Sequence, residues 1–273
     1  MKISIITPVF NSEKTIEKTI LSVVNQKLKS DLEYIIIDGN STDNTLKILH
    51  RYLEEIKIIV SEKDQGTYDA MNKGINLATG DIIGIINADD WYNDGALSSV
   101  EQAFSKDPEI SIVYSPIKTY LDNRYFSTYI PGKLENLPFR FTIPHPSCFV
   151  KKEVYDQIGL FDLGYSMAAD YDFIFRAYTA GYKFQCVDTV LASFALSGMT
   201  SQITNRLKLI KENWQVSSRF VTKTPQYLKK NSHTLYINWF LREITYSLFQ
   251  LNILIFLLVL KIKNLLVKFN TLA

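Results

Sequence analysis

The sequence predicts an α/β protein built on a mostly parallel sheet flanked by helices, with a helical C-terminal extension. Three observations carry this expectation. Short apolar runs alternate with amphipathic segments from the first residues onward. The run Ile82–Ile86 holds four Ile and one Gly, the pattern of a parallel strand buried on both faces. That run ends abruptly in Asn87, Ala88, Asp89 and Asp90, and open α/β sheets bind ligands at the C-terminal ends of their strands.

In chain order, Lys2–Thr7 is an apolar strand stopped by Pro8. Asn11 or Ser12 can cap a helix with Ile16, Ile20, Val23 and Val24 on one face. Tyr34–Ile37 is a second strand ending at Asp38, followed by a turn over Gly39–Asn44. Thr42 or Asp43 can cap the next helix, which carries Leu46, Leu49 and Leu53. Lys57–Val60 is a third strand. Thr67–Leu77 is a helix with Tyr68, Met71 and Ile75 on a face and Gly80 as its stop, and Ile82–Ile86 is the fourth strand. Strands joined by helical crossovers in this way form a parallel sheet. Beyond it, Ile110–Tyr114 reads as a strand and Tyr120–Ile130 as an aromatic hairpin or loop. Lys151–Ile158, Tyr171–Ala180 (stopped by Gly181) and the polar Arg206–Arg219 read as helices.

With 273 residues and 47% hydrophobic content, the chain can bury a full core and is not a disordered one. Cys148 and Cys186 are too few for a disulfide framework or a zinc site and read as packed thiols in a reducing compartment. The first residues already form a strand, so secretion is not expected. The net charge of +2 hides an asymmetry: from Arg206 onward there are 11 Lys+Arg and 2 Asp+Glu, so the preceding body is acidic. In that tail Leu248–Leu260 has only Gln250 and Asn252 as polar residues, with Tyr236 and Trp239 before it and Lys261, Lys263 and Lys268 after. The run is short of the roughly 20 residues of a clean span. It suits a helix lying on an anionic membrane surface, with packing on the body or a short tilted span as alternatives. No nucleic-acid partner is expected.

Adjacent carboxylates at a buried strand end repel and lose hydration unless a cation compensates them. Mg²⁺ or Mn²⁺ carrying a diphosphate is the matching partner for Asp89 and Asp90, and a solvated acidic turn is the plain alternative. After the first strand the chain reads Pro8-Val9-Phe10-Asn11-Ser12, without the Gly-rich dinucleotide fingerprint, and no P-loop pattern occurs anywhere. Asp38 can contact a base or ribose, or simply organise the turn that follows it.

Taken together, Ser4–Asn11 (SIITPVFN), Ile35–Thr45 (IIIDGNSTDNT), Glu62–Ile83 (EKDQGTYDAMNKGINLATGDII) and Asn87–Tyr92 (NADDWY) resemble a family 2 glycosyltransferase. The resemblance continues through His145–Gly181 and covers roughly residues 1–200. It implies the GT-A fold of nucleotide-diphospho-sugar transferases and an inverting transfer, and it is similar to the branch found in bacterial surface-polysaccharide assembly. Residue by residue, it implies that Thr7, Pro8, Phe10 and Asn11 line the nucleotide pocket with Asp38 and Asp64. Lys73 would meet a phosphate, or else be an ordinary surface lysine. Asn87, Ala88 and Asp89 would border the donor, and Asp89 and Asp90 would bind Mn²⁺ or Mg²⁺. Asn87 stands where the family usually has Asp, which leaves open whether Asp89 or Asp90 is the direct ligand. His145, between two prolines, would contact a phosphate or metal. Asp170 is implied as general base, in an Ala-Asp rather than the commoner Glu-Asp context, with Asp172 as second candidate.

These expectations describe a catalytic domain over residues 1–205 and a basic, apolar tail over residues 206–273. The donor would be a nucleotide-diphosphate sugar, a UDP-sugar as first expectation, and the acceptor a saccharide linked to polyprenyl diphosphate. The enzyme would be cytoplasmic, at the inner face of the cytoplasmic membrane. A nucleotidyltransferase lacks its basic Gly-rich loop here. A non-catalytic, nucleotide-sugar-binding partner subunit is the alternative that Asn87 and Ala169 suggest.

Overall fold

Eight residues of the first strand, β1 (Lys2–Val9), run parallel to β2 (Asp31–Asp38), from Lys2 opposite Asp31 to Val9 opposite Asp38. They belong to a computed structural model that describes residues 1–196 and 203–220. Between and after them lie α1 (Ile16–Val24), α2 (Thr45–Leu49), β3 (Ile58–Ser61), α3 (Thr67–Leu77) and β4 (Ile82–Ile85). The second half adds β5 (Trp91–Tyr92), α4 (Ala96–Lys106), β6 (Ile112–Tyr114), β7 (Ile117–Leu121), β8 (Arg124–Tyr129) and β9 (Phe149–Lys151). It ends in α5 (Lys152–Ile158), α6 (Ala169–Thr179), β10 (Phe184–Cys186), β11 (Ala192–Ala195) and α7 (Ile203–Phe220).

Among the described residues, the main sheet has seven strands in the order β10-β6-β9-β4-β1-β2-β3. Every pair is parallel except those of β9, which runs antiparallel to both β4 and β6. A smaller sheet has the order β5-β11-β7-β8. The α/β expectation holds, with two additions: the antiparallel β9 inside the sheet, and the second sheet.

The core explains the order of strands. Ile3 and Ile5 of β1, Ile36 of β2 and Ile82 of β4 are buried together with Ile16, Ile20 and Val23 of α1. Each such side chain contributes about 1.5–3 kcal/mol on burial. Gly84 sits mid-strand because Phe149 of β9 presses on it: a Cβ there would lie 2.5 Å from the Phe149 ring and 2.9 Å from Ile5. At the opposite end of the strands, buried Glu33 accepts hydrogen bonds from Lys2 (2.7 Å), Ser4 (2.6 Å) and Thr79 (2.6 Å to its hydroxyl). Burial alone would raise its pKa, but those partners outweigh it and hold the group at about 2.

Several local expectations change. Neither Asn11 nor Ser12 caps α1, which begins after Thr15. Asn11 takes a left-handed φ of 47°, and its Oδ1 accepts from the Thr42 amide at 2.8 Å, so it joins two loops instead. Asp43, not Thr42, serves α2, accepting from the Thr45 amide at 2.9 Å. The helix α3 keeps the expected bounds Thr67–Leu77, with Ala78 as its C-cap in place of Gly80 as its stop. Gly80 donates its N–H to the Ser4 hydroxyl. Cys148 is buried as expected, whereas Cys186 is exposed.

The chain divides into two units, one of Met1–Leu134 with Thr142–Gly198, the other of Glu135–Phe141 with Met199–Ala273. In the second, α7 contains the expected polar helix, and the buried Ser217 hydroxyl donates to Pro138 O at 2.7 Å. No helix among the described residues is long and apolar enough to cross a membrane. The apolar run Leu248–Leu260 and its flanking lysines lie outside the described residues.

Candidate active site

The C-terminal ends of β1, β2 and β4 carry the first group of predicted residues. Thr7 is fully buried and its hydroxyl pairs with the Tyr34 hydroxyl at 3.0 Å, so its side chain faces the core. Pro8 is buried beside it, while Phe10 is 59% exposed and open to a planar ligand. Asp38 is buried and accepts three hydrogen bonds, from the Ser41 amide (3.0 Å), the Ser41 hydroxyl (2.5 Å) and the Ser61 hydroxyl (2.7 Å). Its turn-organising role is thus directly visible. Asp64 accepts from the Gly66 amide at 2.9 Å, and its carboxylate lies against Gly39, where a Cβ would come within 2.6 Å. Gly39 is therefore small so that Asp64 can reach the end of β2. Lys73 is held by Glu62 at 2.8 Å and Asp69 at 3.4 Å, and the hydrogen bond it donates to Glu62 raises its pKa first of all. That is the surface-lysine arrangement.

The acidic turn after β4 separates its two carboxylates by role. Asp90 is buried, and its Oδ1 accepts the Ala195 amide of β11 at 3.0 Å. Its other oxygen accepts from Asn87 Nδ2 at 3.3 Å. Thr19 of α1 reaches across to the Ala88 carbonyl at 3.0 Å and the Asp90 carbonyl at 2.7 Å, fixing the turn's backbone. Burial, and then the charge of Asp89, push Asp90 well above the usual carboxylate range. Burial also raises half-buried Asp89. Asp90 is tied to the second sheet by that bond, and Asp89 is the more exposed of the two carboxylates.

A hard divalent ion fits this turn. The Oδ1 of Asn87 is buried and has no hydrogen-bond partner, because the amide's other end is committed to Asp90. Orphaned buried oxygens of this kind are rare, and a cation satisfies one as well as a donor does. Asn87, Asp89 and Asp90 are the residues that would hold it. Among the described residues, no cluster of three or more His, Cys, Asp or Glu forms a closed metal cage. The remaining ligands would then come from a diphosphate and water, as is usual for Mg²⁺.

The second half brings His145 and Asp170 to the same region. The short 3₁₀ turn His145–Ser147 packs against β4 and β11, the two strands that hold the acidic turn. Burial lowers the pKa of His145, while the nearby Asp170 pulls it the other way. Asp170 stands on the first turn of α6 and accepts from the Tyr171 amide at 2.8 Å and the Tyr68 hydroxyl at 2.9 Å. Burial raises its pKa, opposed by His145 and by those two donors. A carboxylate whose proton affinity is raised in this way is better suited to accept a proton. Asp172 is fully buried instead, and it pairs with Arg176 at 2.8 Å. Arg176 in turn caps the carbonyls of Ile158 and Leu160. That pair braces the loop before α6.

Two contributors escaped the sequence reading. Tyr68 was read only as an apolar-face residue, and no local signal gives its hydroxyl a partner so far along the chain. Asn72 exchanges hydrogen bonds with Phe161, 2.9 Å to its carbonyl and 3.0 Å from its amide, tying α3 to the segment before α6. A buried Asn in a helix interior was the available clue.

The sequence profile of the family described as Glycosyl transferase family 2 matches residues 4–159. A "PGL/p-HBAD biosynthesis glycosyltransferase" of Mycobacterium bovis is 33% identical over 181 residues, covering 64% of this chain and 69% of its own. A "Chondroitin synthase" of Escherichia coli is 28% identical over 77% of this chain, which spans 31% of that longer protein. Among solved structures, the mannosyltransferase PcManGT from Pyrobaculum calidifontis, in complex with GDP-Man and Mn²⁺, superposes with a TM-score of 0.66. It is 19% identical, over 86% of this chain and 68% of its own. S. aureus TarS 1-349 in complex with UDP-GlcNAc gives 0.63 at 17% identity, over 90% and 81%. Both of these share the GT-A fold, the seven-stranded sheet described above belongs to it, and the chain is a member of glycosyltransferase family 2.

Proposed function

We propose that this protein is an inverting glycosyltransferase. It moves a sugar from a nucleotide-diphosphate donor, a UDP-sugar as first choice, to a lipid-linked saccharide in surface-polysaccharide synthesis. The observation that carries the reading is the pairing of roles: a raised, hydrogen-bonded Asp170 beside His145, and an acidic turn with an orphaned Asn87 oxygen. The UDP-GlcNAc and GDP-Man named for the fold neighbours support a nucleotide-sugar donor.

Asp170 takes the proton of the acceptor hydroxyl as its oxygen attacks the anomeric carbon, a contribution of about 10²–10⁴-fold. Tyr68 and the Tyr171 amide hold that carboxylate in position. Asp89 and Asn87 face the diphosphate, and Asp90 keeps their turn in place. A bound divalent ion would supply neutralisation of the charge on the departing nucleotide. Exposed Phe10 offers a face to the base. His145, whose pKa burial lowers, lies beside Asp170 and would contact a phosphate or the metal. Attack opposite the leaving group inverts the anomeric carbon. Residues 1–205 form the catalytic domain in this reading, and residues 206–273 rest on the cytoplasmic face of the membrane where a polyprenyl-linked acceptor resides.

The test is donor hydrolysis over UDP-, GDP- and dTDP-sugars with Mn²⁺, Mg²⁺ or EDTA. Metal-dependent release from one donor, absent in Asp89→Ala and Asp170→Asn, is the expected result. Donor binding without release, even with acceptor extracts present, would leave the partner-subunit reading. Absence of any donor binding would overturn both.

A further inference from the structure

Immediately after the acidic turn the chain lays out a row of aromatic rings. Trp91, next to Asp90, begins β5, and its ring centroid lies 4.8 Å from that of Tyr120 on β7. Tyr120 meets Tyr125 of β8 edge-on at 6.1 Å. Solvent access rises along the row: Trp91 and Tyr120 are half-buried, and Tyr125 is 57% exposed. The Lys18 ammonium sits over the Trp91 ring and fixes it from the α1 side. The row is joined to the acidic turn by bonding as well as sequence. Asp90 accepts the amide of Ala195, and Ala195 is the register partner of Tyr120.

We infer that Trp91, Tyr120 and Tyr125 form a binding track for a saccharide chain on the acceptor side of the site. This rests on the reading of Asp89 and Asp90 as the donor end. A pyranose presents C–H faces bordered by hydroxyls, and it is recognised by side chains that are apolar on the face and polar at the tip. The centroids are 4.8 and 6.1 Å apart, contact distances that make the three rings one continuous aromatic surface. At the outer end the Tyr125 hydroxyl pairs with Thr128 at 2.9 Å on the surface, a donor–acceptor couple suited to sugar hydroxyls. A lipid surface also takes Trp and Tyr at its headgroup level, and vesicle binding is the outcome of the test that would show it. A second copy of the chain would engage the outer edge of β8 through its backbone, without using the ring spacing. Continuity with the acidic turn favours the saccharide, because Trp91 directly follows Asp90 and the row starts where the proposed donor end stops.

The experiment is ligand-observed NMR on the full chain, with neutral and uronate-containing oligosaccharides of one to six units as probes. Affinity should climb with length to three units and then level off. Tyr125→Ala should weaken trisaccharides and longer chains by about 3- to 10-fold, with monosaccharide binding unchanged. Tyr125→Phe should keep most of the affinity. Lack of oligosaccharide binding, lack of length dependence, or equal affinity in Tyr125→Ala overturns the track. So does self-association or vesicle binding that Tyr125→Ala abolishes. Donor cleavage by the unaltered protein is scored separately, so a failed donor reading and a failed track give different results.

Discussion

The Tyr68 hydroxyl donates a 2.9 Å hydrogen bond to Asp170, joining two side chains 102 residues apart. Tyr68 stands near the start of α3 and Asp170 near the start of α6, so one bond sets the aim of the proposed base from a neighbouring helix. It also stabilises the ionised form. Tyr68→Phe should therefore raise the pKa of Asp170 further. The acidic limb of the pH–rate profile then moves to higher pH, and turnover near neutrality falls about tenfold, with donor affinity unchanged. A shift in the opposite direction would rule out this hydrogen bond as a control on the base.

Asp170→Asn keeps the shape but cannot accept a proton. Transfer should fall by about 10²–10⁴-fold, while calorimetry shows the same donor affinity. Asp172→Asn should behave differently, because it breaks the buried pair with Arg176 and loosens the segment before α6. Its signature is a lower melting temperature.

The two acidic-turn residues should separate in the same fashion. Asp90→Ala strands the half-buried Ala195 amide and should cost about 1 kcal/mol of stability. Asp89→Ala should leave the folded state intact and abolish the rise in melting temperature that Mn²⁺ produces in the unaltered protein, a rise that EDTA reverses. Melting curves with and without the ion distinguish the two.

Glu33 supplies a pH test far from the site. Its folded pKa of about 2 lies below its ordinary value of 4.5. Its contribution is therefore fully present above about pH 4.5 and is lost as the pH falls toward 2. The size is about 3 kcal/mol. Urea midpoints of the unaltered protein should drop over that window. Glu33→Gln should be less stable at pH 7 and flatter with pH.

Strands β1, β2 and β4 were legible in the sequence as continuous apolar runs, and helix α3 by its helical period. Phe149–Lys151 was not. Three residues carry no period, and the choice of an antiparallel place between β4 and β6 is made by Phe149 filling the space over Gly84. Caps were misplaced where a better partner existed across a loop, as with Asn11 and Thr42. The site divides the same way. Its carboxylates could be named from their neighbours, but only packing distinguishes Asp90, bonded to Ala195, from Asp89, or Asp172, paired with Arg176, from Asp170.

The place of β9 has a consequence for how the protein is made. Once residues 1–92 have left the ribosome, β1 to β4 can already pair, yet the outer edge of β4 stays open until Phe149 arrives to close it. That edge is flat, rich in Ile and unpaired, the sort of edge that recruits other chains. The acidic turn has the same wait, since Asp90 meets its Ala195 partner later still. A nascent chain stalled between these points would carry most of the sheet, none of the finished site, and a strand edge needing a chaperone's cover.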